Sequence, residues 1–315
     1  MFLSIILLLL GLLLLIKGAD WLVSGASAIA RHFKVSDLAI GLTIVAFGTS
    51  APELVVNGFA AFEQSFDLVF GNVIGSNNFN LFLILGITGL ISPLKVQSST
   101  VWKEIPLSLF AAVLILALAN NWIPFGTHGV SRIEAGFLLL VFVGFLYYVF
   151  SQLKRDETML STEGKTLKLN KSFLLVVIGL SGLIIGGKLV VQSATELAQQ
   201  LGISEKIIGL TIVAAGTSLP ELVTSVVAAF KKNNDIAVGN IIGSNIFNLL
   251  FILPVSALIR PLEYQNTFNI DIYILIGGTV LLFAAMFTGN NKKLDRWESG
   301  LLILLYLIYA FTMMS

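Results

Sequence analysis

A ten-helix, all-α integral membrane protein, made of two five-helix repeats in inverted topology, is the fold that three observations predict for this chain. The first is composition: of 315 residues, 56% are hydrophobic and 12% charged, too little polar surface to cover a soluble globule of this size. The second is an internal repeat. Residues 11–94 align without a gap to 179–262, and 42 of the 84 paired positions are identical. The third is parity: five spans per copy oblige the second copy to enter the bilayer from the opposite side. Charge agrees where the copies differ. Glu63-Gln64-Ser65 becomes Lys231-Lys232-Asn233, and Lys95 becomes Glu263, the opposite bias expected of equivalent loops on opposite sides.

Apolar runs long enough to cross about 30 Å of hydrocarbon fall near 3–30, 37–62, 66–91, 103–120 and 131–152, then near 171–199, 205–230, 234–259, 268–288 and 297–314. The first repeat therefore occupies 1–152, with its polar motif at 41–85. A linker follows at 153–170, and the second repeat occupies 171–315, with its motif at 209–253. An external N-terminus puts 14 of the 19 Lys and Arg on the cytoplasmic side, including Lys154, Arg155, Lys165, Lys168 and Lys171 of the linker region. Arg132, Lys206 and Arg260 fall outside. Both termini are thus expected to be extracytoplasmic and the linker cytoplasmic, in the cell membrane. No positive residue precedes the first apolar run, which argues against a cleaved signal peptide. A net charge of +1 and the absence of cysteine point to no nucleic-acid partner and exclude thiolate metal sites. The partners implied are the lipid bilayer and small ions, with no obligate protein partner and no cofactor.

Identity between the copies is densest around polar residues. The first copy reads GLTIVAFGTSAPELVV (41–56) and GNVIGSNNFNLFLIL (71–85). The second reads GLTIVAAGTSLPELVT (209–224) and GNIIGSNIFNLLFIL (239–253). Pro52 lacks an N–H and its ring collides with the carbonyl four residues back. A broken helix is expected there, with backbone oxygens near Ala46 to Gly48 left free. Such irregular backbone is tolerated at membrane depth only inside protein or along a wet cavity. Thr49 and Ser50 lie four and three residues before Glu53, so the three can share one face. Ser76 and Asn80 repeat the device at i and i+4. The second copy supplies Thr217, Ser218 and Glu221, then Ser244 and Asn248.

Inverted packing would bring the two clusters face to face near the midplane, where secondary transporters place substrates and coupling ions. Every ligand on offer is oxygen, which suits hard cations such as Ca²⁺ or Na⁺. Small residues also serve close helix packing, but a charge at a helix centre costs at least ~2.5 kcal/mol, which leaves Glu53 and Glu221 without a packing explanation. Two carboxylates roughly 6 Å apart in an effective dielectric of about 20 repel by about 3 kcal/mol. An empty pair would then take up a proton and a cation-filled pair would not, so H⁺ should compete with the transported ion.

These residues, GTSAPE and GTSLPE followed by GSNNFN and GSNIFN, resemble the two alpha repeats of the sodium/calcium exchanger family within the cation/Ca²⁺ antiporters, in the microbial form without a regulatory domain. The resemblance implies an antiporter exchanging Na⁺ for Ca²⁺ by alternating access. Glu53 and Glu221 would be the central carboxylates. Thr49, Ser50, Thr217 and Ser218, with the carbonyls of Ala46 and Ala214, would complete the sites, and Ser76, Asn80, Ser244 and Asn248 would flank them. It also implies that the long first and sixth spans slide against the other eight. Asn248 stands where several members carry an aspartate. The formal site charge is then −2, which balances one Ca²⁺ and argues against K⁺ cotransport. The proton-coupled branch carries a motif resembling GNAAE, so Na⁺ is the expected coupling ion.

H⁺-coupled Ca²⁺ exchange or broader divalent exchange is the alternative that the same oxygen cage allows, and a cation channel is a further one. No nucleotide-binding loop or nucleophile constellation argues for an enzyme. Asp20 and Lys188, at equivalent positions with opposite charge, are read as snorkelling toward an interface, the other reading being a gating contact. His32 and His128 are read as interfacial, as are Trp21, Trp102, Trp122 and Trp297. Glu104 and Glu134 are expected at helix N-termini, and Asn57 and Ser225 either line the ion path or pack beside it.

Overall fold

The computed structural model describes residues 2–122, 128–152, 167–201, 214–288 and 292–314. Most of the linker, including Lys154, Arg155 and Lys165, lies outside the described residues, as do Lys206 and residues 209–213 of the second motif. The described chain is helical: α1 (Phe2–Phe33), α2 (Asp37–Thr49), α3 (Ala51–Phe62), α4 (Phe66–Ile91), α5 (Thr100–Ala119), α6 (Arg132–Gln152), α7 (Leu169–Gln200), α8 (Ala214–Gly216), α9 (Leu219–Phe230), α10 (Asn234–Ile259), α11 (Asn266–Ala285) and α12 (Arg296–Met314).

Seven of these helices are long and apolar enough to cross a membrane. The count is eight when α2 and α3, bent by 47° at their junction, are taken as one broken span. The ten spans read from sequence exceed this because α9 is short and its preceding residues lie outside the description, and because the nineteen-residue α12 is not among the seven.

Helices α4 and α10 form the centre: their apolar windows are 72% and 83% buried within the protein, against 28% for α1. Contacts between the two halves of the chain recur in pairs. The α3 helix packs on Leu253–Ile259, and α9 packs on Leu85–Ile91. Two-residue ribbons do the same. β1 (Leu94–Lys95) pairs antiparallel with β4 (Lys293–Leu294), and β2 (Gly129–Val130) with β3 (Leu262–Glu263). Gly129 sits at φ +131°, where a side chain would be strained, and a Cβ there would lie 1.9 Å from the Leu262 carbonyl oxygen.

Helices α1 and α7, each 32 residues long, run against each other with their backbones in contact. A Cβ at Gly18 would stand 2.8 Å from the Gly179 oxygen, and one at Gly179 would stand 2.6 Å from the Leu22 nitrogen. Glycine lets membrane helices approach this closely, where van der Waals contact replaces the missing hydrophobic drive.

Candidate functional site

The polar motifs lie where broken helices meet the central pair. Pro52 and Pro220 do not interrupt helices in mid-course. Each falls in the first turn of a new helix, α3 or α9, where the missing N–H leaves no bond unmade. The break itself falls at Ser50 and Ser218, whose backbones leave helical geometry at φ −83°, ψ 7° and φ −88°, ψ 6°. Glu53 and Glu221 consequently stand in first turns, where the positive end of the helix dipole favours a carboxylate. The Ala46 carbonyl is not left free as the sequence reading expected. It accepts the Ser50 N–H at 3.0 Å, because the helix completes its last turn before breaking. The Thr49 hydroxyl lies 3.3 Å from it, but with its one proton given to Asn240 Oδ1 at 3.0 Å the second lone pair of the carbonyl stays open. Ala214 opens the short α8.

Each cluster is closed by the other half of the chain. Ser50 donates to Glu221 Oε1 at 2.8 Å and lies 3.0 Å from Ser244 Oγ. Ser218 donates to Glu53 Oε1 at 3.3 Å and lies 3.2 Å from Ser76 Oγ. Thr49 donates to Asn240 Oδ1 at 3.0 Å, and Asn72 donates to Thr217 Oγ1 at 3.3 Å. Glu53 is 1% exposed and Glu221 fully buried, yet neither takes part in an ion pair among the described residues. The second oxygen of each, Oε2, has no hydrogen-bond partner among the described residues. A buried carboxylate with one oxygen held by a hydroxyl and the other unpaired is costly unless a charge completes it.

Asn80 and Asn248 stand apart from the carboxylates in the hydrogen-bond pattern. Asn80 donates to Asn245 Oδ1 at 3.1 Å, and the Oδ1 atoms of Asn80 and Asn248 are buried and unpartnered. Both lie in wide, π-type turns, Phe79–Ile84 and Asn248–Ile252, a distortion often found at functional sites. Asn72 and Asn240 were not singled out from sequence, although their identity at the same point of both copies was the available signal. Asn57 and Ser225 are fully buried beside them and hydrogen-bond Asn72 and Asn240, respectively.

Asp20 does more than reach toward an interface. It forms an ion pair with Lys231 at 2.7 Å, and the same ammonium also donates to the Asp20 carbonyl and to Ser24. Glu134 takes the helix-start role expected of it, accepting the backbone N–H of Ser131 at 2.7 Å, and Glu298 accepts that of Asp295 at 2.7 Å in the same way. Glu104 instead ends a wide turn, its carboxylate bonded by Tyr148.

Fold and site together define a multi-pass membrane protein of the antiporter class. The family profile described as sodium/calcium exchanger protein matches residues 3–151 and 171–315. The putative antiporter CaxA of Alkalimonas amylolytica is 36% identical over the full length of both chains. The sodium/calcium exchanger MaX1 of Methanosarcina acetivorans is 34% identical over 97% of each. The solved structure of the sodium-calcium exchanger NCX_Mj, soaked with zero Na⁺ and Ca²⁺, superposes with a TM-score of 0.84 at 33% identity, covering 99% of each chain. The chain belongs to the sodium/calcium exchanger family.

Proposed function

We propose that this protein exchanges Na⁺ for Ca²⁺ across the cell membrane by alternating access, without K⁺, binding both ions between Glu53 and Glu221. The observation that carries the reading is the reciprocal pair of buried carboxylates, each with one oxygen held by the other half's serine and one oxygen unpaired. Two such oxygens among hydroxyls and amides make a cage of hard ligands carrying a formal charge of −2. One Ca²⁺ neutralises it, and so do two Na⁺. Thr49, Ser50, Ser76, Thr217, Ser218 and Ser244 are the neutral ligands in this reading, with the Ala46 and Ala214 carbonyls and with Asn80 and Asn248 at the flanks. Asn248 adds no charge, which leaves nothing for a K⁺ to balance. MaX1 and NCX_Mj are named as sodium/calcium exchangers, which supports Na⁺ over H⁺ as the coupling ion.

The topology goes with the mechanism. With the apolar runs read from the sequence at 205–230 and 297–314 counted as spans, eight becomes ten. These form two inverted repeats, 1–152 and 171–315, joined by a cytoplasmic linker at 153–170, with both termini outside. Reciprocal packing of α3 and α9, and of the two ribbons, supports that arrangement. Inverted repeats exchange roles between the two access states, so a contact made by one copy should be matched by its counterpart in the opposite state. Asp20 and Lys231 have as counterparts Lys188 and Glu63, the same pair with charges reversed. Among the described residues only the first pair is formed: Lys188 and Glu63 are exposed and have no ion pair there.

The test is ⁴⁵Ca²⁺ uptake into proteoliposomes preloaded with Na⁺, for wild type, Glu53→Gln and Glu221→Gln, with external K⁺ and pH varied separately. Uptake that requires the Na⁺ gradient, ignores K⁺ and is lost in both variants is the expected result. Uptake driven by a pH gradient without Na⁺ would replace the coupling ion, and uptake that survives both substitutions would remove the site.

A further inference from the structure

The two halves of the cage differ at Asn57 and Ser225, both fully buried, and the hydrogen bonds around that pair run in opposite senses. In the second half, the Asn240 amide NH₂ donates to the Glu221 backbone carbonyl at 3.3 Å and to Ser225 Oγ at 2.9 Å. Both amide hydrogens are then used, and Oδ1 is turned toward Thr49, whose hydroxyl donates to it at 3.0 Å. In the first half, the position of Ser225 is held by Asn57. Its NH₂ donates to the Glu53 backbone carbonyl at 2.7 Å and to Asn72 Oδ1 at 2.7 Å. Asn57 has taken the carbonyl that the asparagine of the next helix would otherwise reach. Asn72 is therefore turned about, and its NH₂ faces Thr217 Oγ1 at 3.3 Å. Neither sense is arbitrary, since a backbone carbonyl only accepts and so fixes the amide that meets it.

A threonine hydroxyl has one proton and two lone pairs. With a cation in the cage, Thr49 can send its proton outward to Asn240 Oδ1 and turn its lone pairs to the ion. Among the described residues Thr217 has no such outlet: Asn72 presents an N–H to it at 3.3 Å, so one lone pair is occupied and no acceptor outside the cage draws its proton away. We infer that Asn57 is a specificity-determining positioning residue: through Asn72 it makes Thr217 a hydrogen-bond donor to the cage, while Ser225 through Asn240 leaves Thr49 a full cation ligand. The inference rests on the ion site proposed above and assigns different roles to two residues that the repeat would make equivalent.

The experiment is calorimetric titration of Ca²⁺ into purified full-length protein in Na⁺-free buffer, for Thr49→Val and Thr217→Val, each alone and combined with Asn57→Ser. Removing a hydroxyl that serves the cation should weaken binding about tenfold or more, and removing one that only donates should weaken it less than about threefold. In the wild-type background, Thr49→Val should fall in the first class and Thr217→Val in the second. Asn57→Ser frees the Glu53 carbonyl for Asn72 and turns Oδ1 toward Thr217, so Thr217→Val should then also cost about tenfold. The reciprocal Ser225→Asn should shrink the cost of Thr49→Val, and it keeps the inference testable if Asn57→Ser does not fold. Equal costs for the two threonines in wild type, or costs that neither exchange alters, would overturn the inference while leaving the ion site standing. Failure of wild type to bind Ca²⁺, or binding that survives Glu53→Gln, would instead overturn the site itself.

Discussion

Replacing Glu53 by Gln separates a divalent from a monovalent occupant by charge alone. The amide keeps an oxygen to accept from Ser218 and places an NH₂ where Oε2 has no partner, so shape and burial change little. A cation bound at 2.3–2.6 Å from a carboxylate oxygen lies about 3 Å from the centre of its charge. At an effective dielectric of about 20, that attraction is about 11 kcal/mol for Ca²⁺ and about 5.5 kcal/mol for Na⁺. The repulsion between Glu53 and Glu221 acts in the empty site as well as the filled one and cancels from the comparison of an ionised pair. The cost is then at most about 11 kcal/mol for Ca²⁺ and about 5.5 kcal/mol for Na⁺, twice as large for the divalent ion. Thermal melting of the purified protein across Ca²⁺ and Na⁺ titrations measures this, because an ion that binds only the folded state raises the melting temperature. Glu53→Gln should lose the Ca²⁺ effect entirely and keep a Na⁺ effect shifted to higher concentration. Retention of Ca²⁺ binding within tenfold of wild type, or equal losses for the two ions, would refute the electrostatic reasoning.

Three further outcomes follow from the same geometry. Lys231→Gln and Lys188→Gln should bias the access equilibrium in opposite directions by roughly two- to fivefold, the worth of a partly exposed ion pair; labelling of a cysteine introduced at the site, in a chain with no native cysteine, reads this from each side, and shifts in the same direction would argue against exchanged contacts. Gly18→Val puts a side chain where the Gly179 oxygen is 2.8 Å away and should abolish uptake by forcing α1 off α7, so wild-type uptake in this variant would show that the close approach is dispensable. Lowering pH should raise the Ca²⁺ concentration needed for half-maximal uptake, since protons and Ca²⁺ compete for the same two carboxylates, and a half-maximal concentration independent of pH between about 5 and 8 would contradict that competition.

Much of the site was legible because its parts are short-range and duplicated. Gly-Thr-Ser-x-Pro-Glu carries its own helix break, and its second appearance at a constant offset of 168 residues named Glu53, Glu221 and their hydroxyl neighbours before any contact was known. What could not be read was the partner of each group. Ser50 lies three residues from Glu53 and could have served it, yet its proton goes to Glu221. That choice depends on how two distant segments cross, which no local pattern encodes. The expectation of a free carbonyl failed at Ala46 for a related reason. Pro52 announces a break, but its place in the first turn of α3 lets the Ser50 N–H close the preceding turn on the Ala46 carbonyl.

Asn72 and Asn240 show where sequence reading stopped short. An asparagine beside a glycine reads as a helix distortion or a packing residue, and nothing in its immediate neighbours marks it as reaching across to a threonine of the other repeat. The repeat supplied the needed signal in two parts: identity at 72 and 240, and difference at 57 and 225. Identity conserved between copies of one chain says that both halves need the same group. A buried difference one turn from the carboxylate says that the halves do not use it in the same way. A cage built from two equivalent halves would offer each ion two identical seats, whereas an exchanger must hold a divalent ion in one geometry and several monovalent ions in another. Asn57, an amide where the second copy has a hydroxyl, buried and anchored on the Glu53 carbonyl, is the position we propose breaks that equivalence.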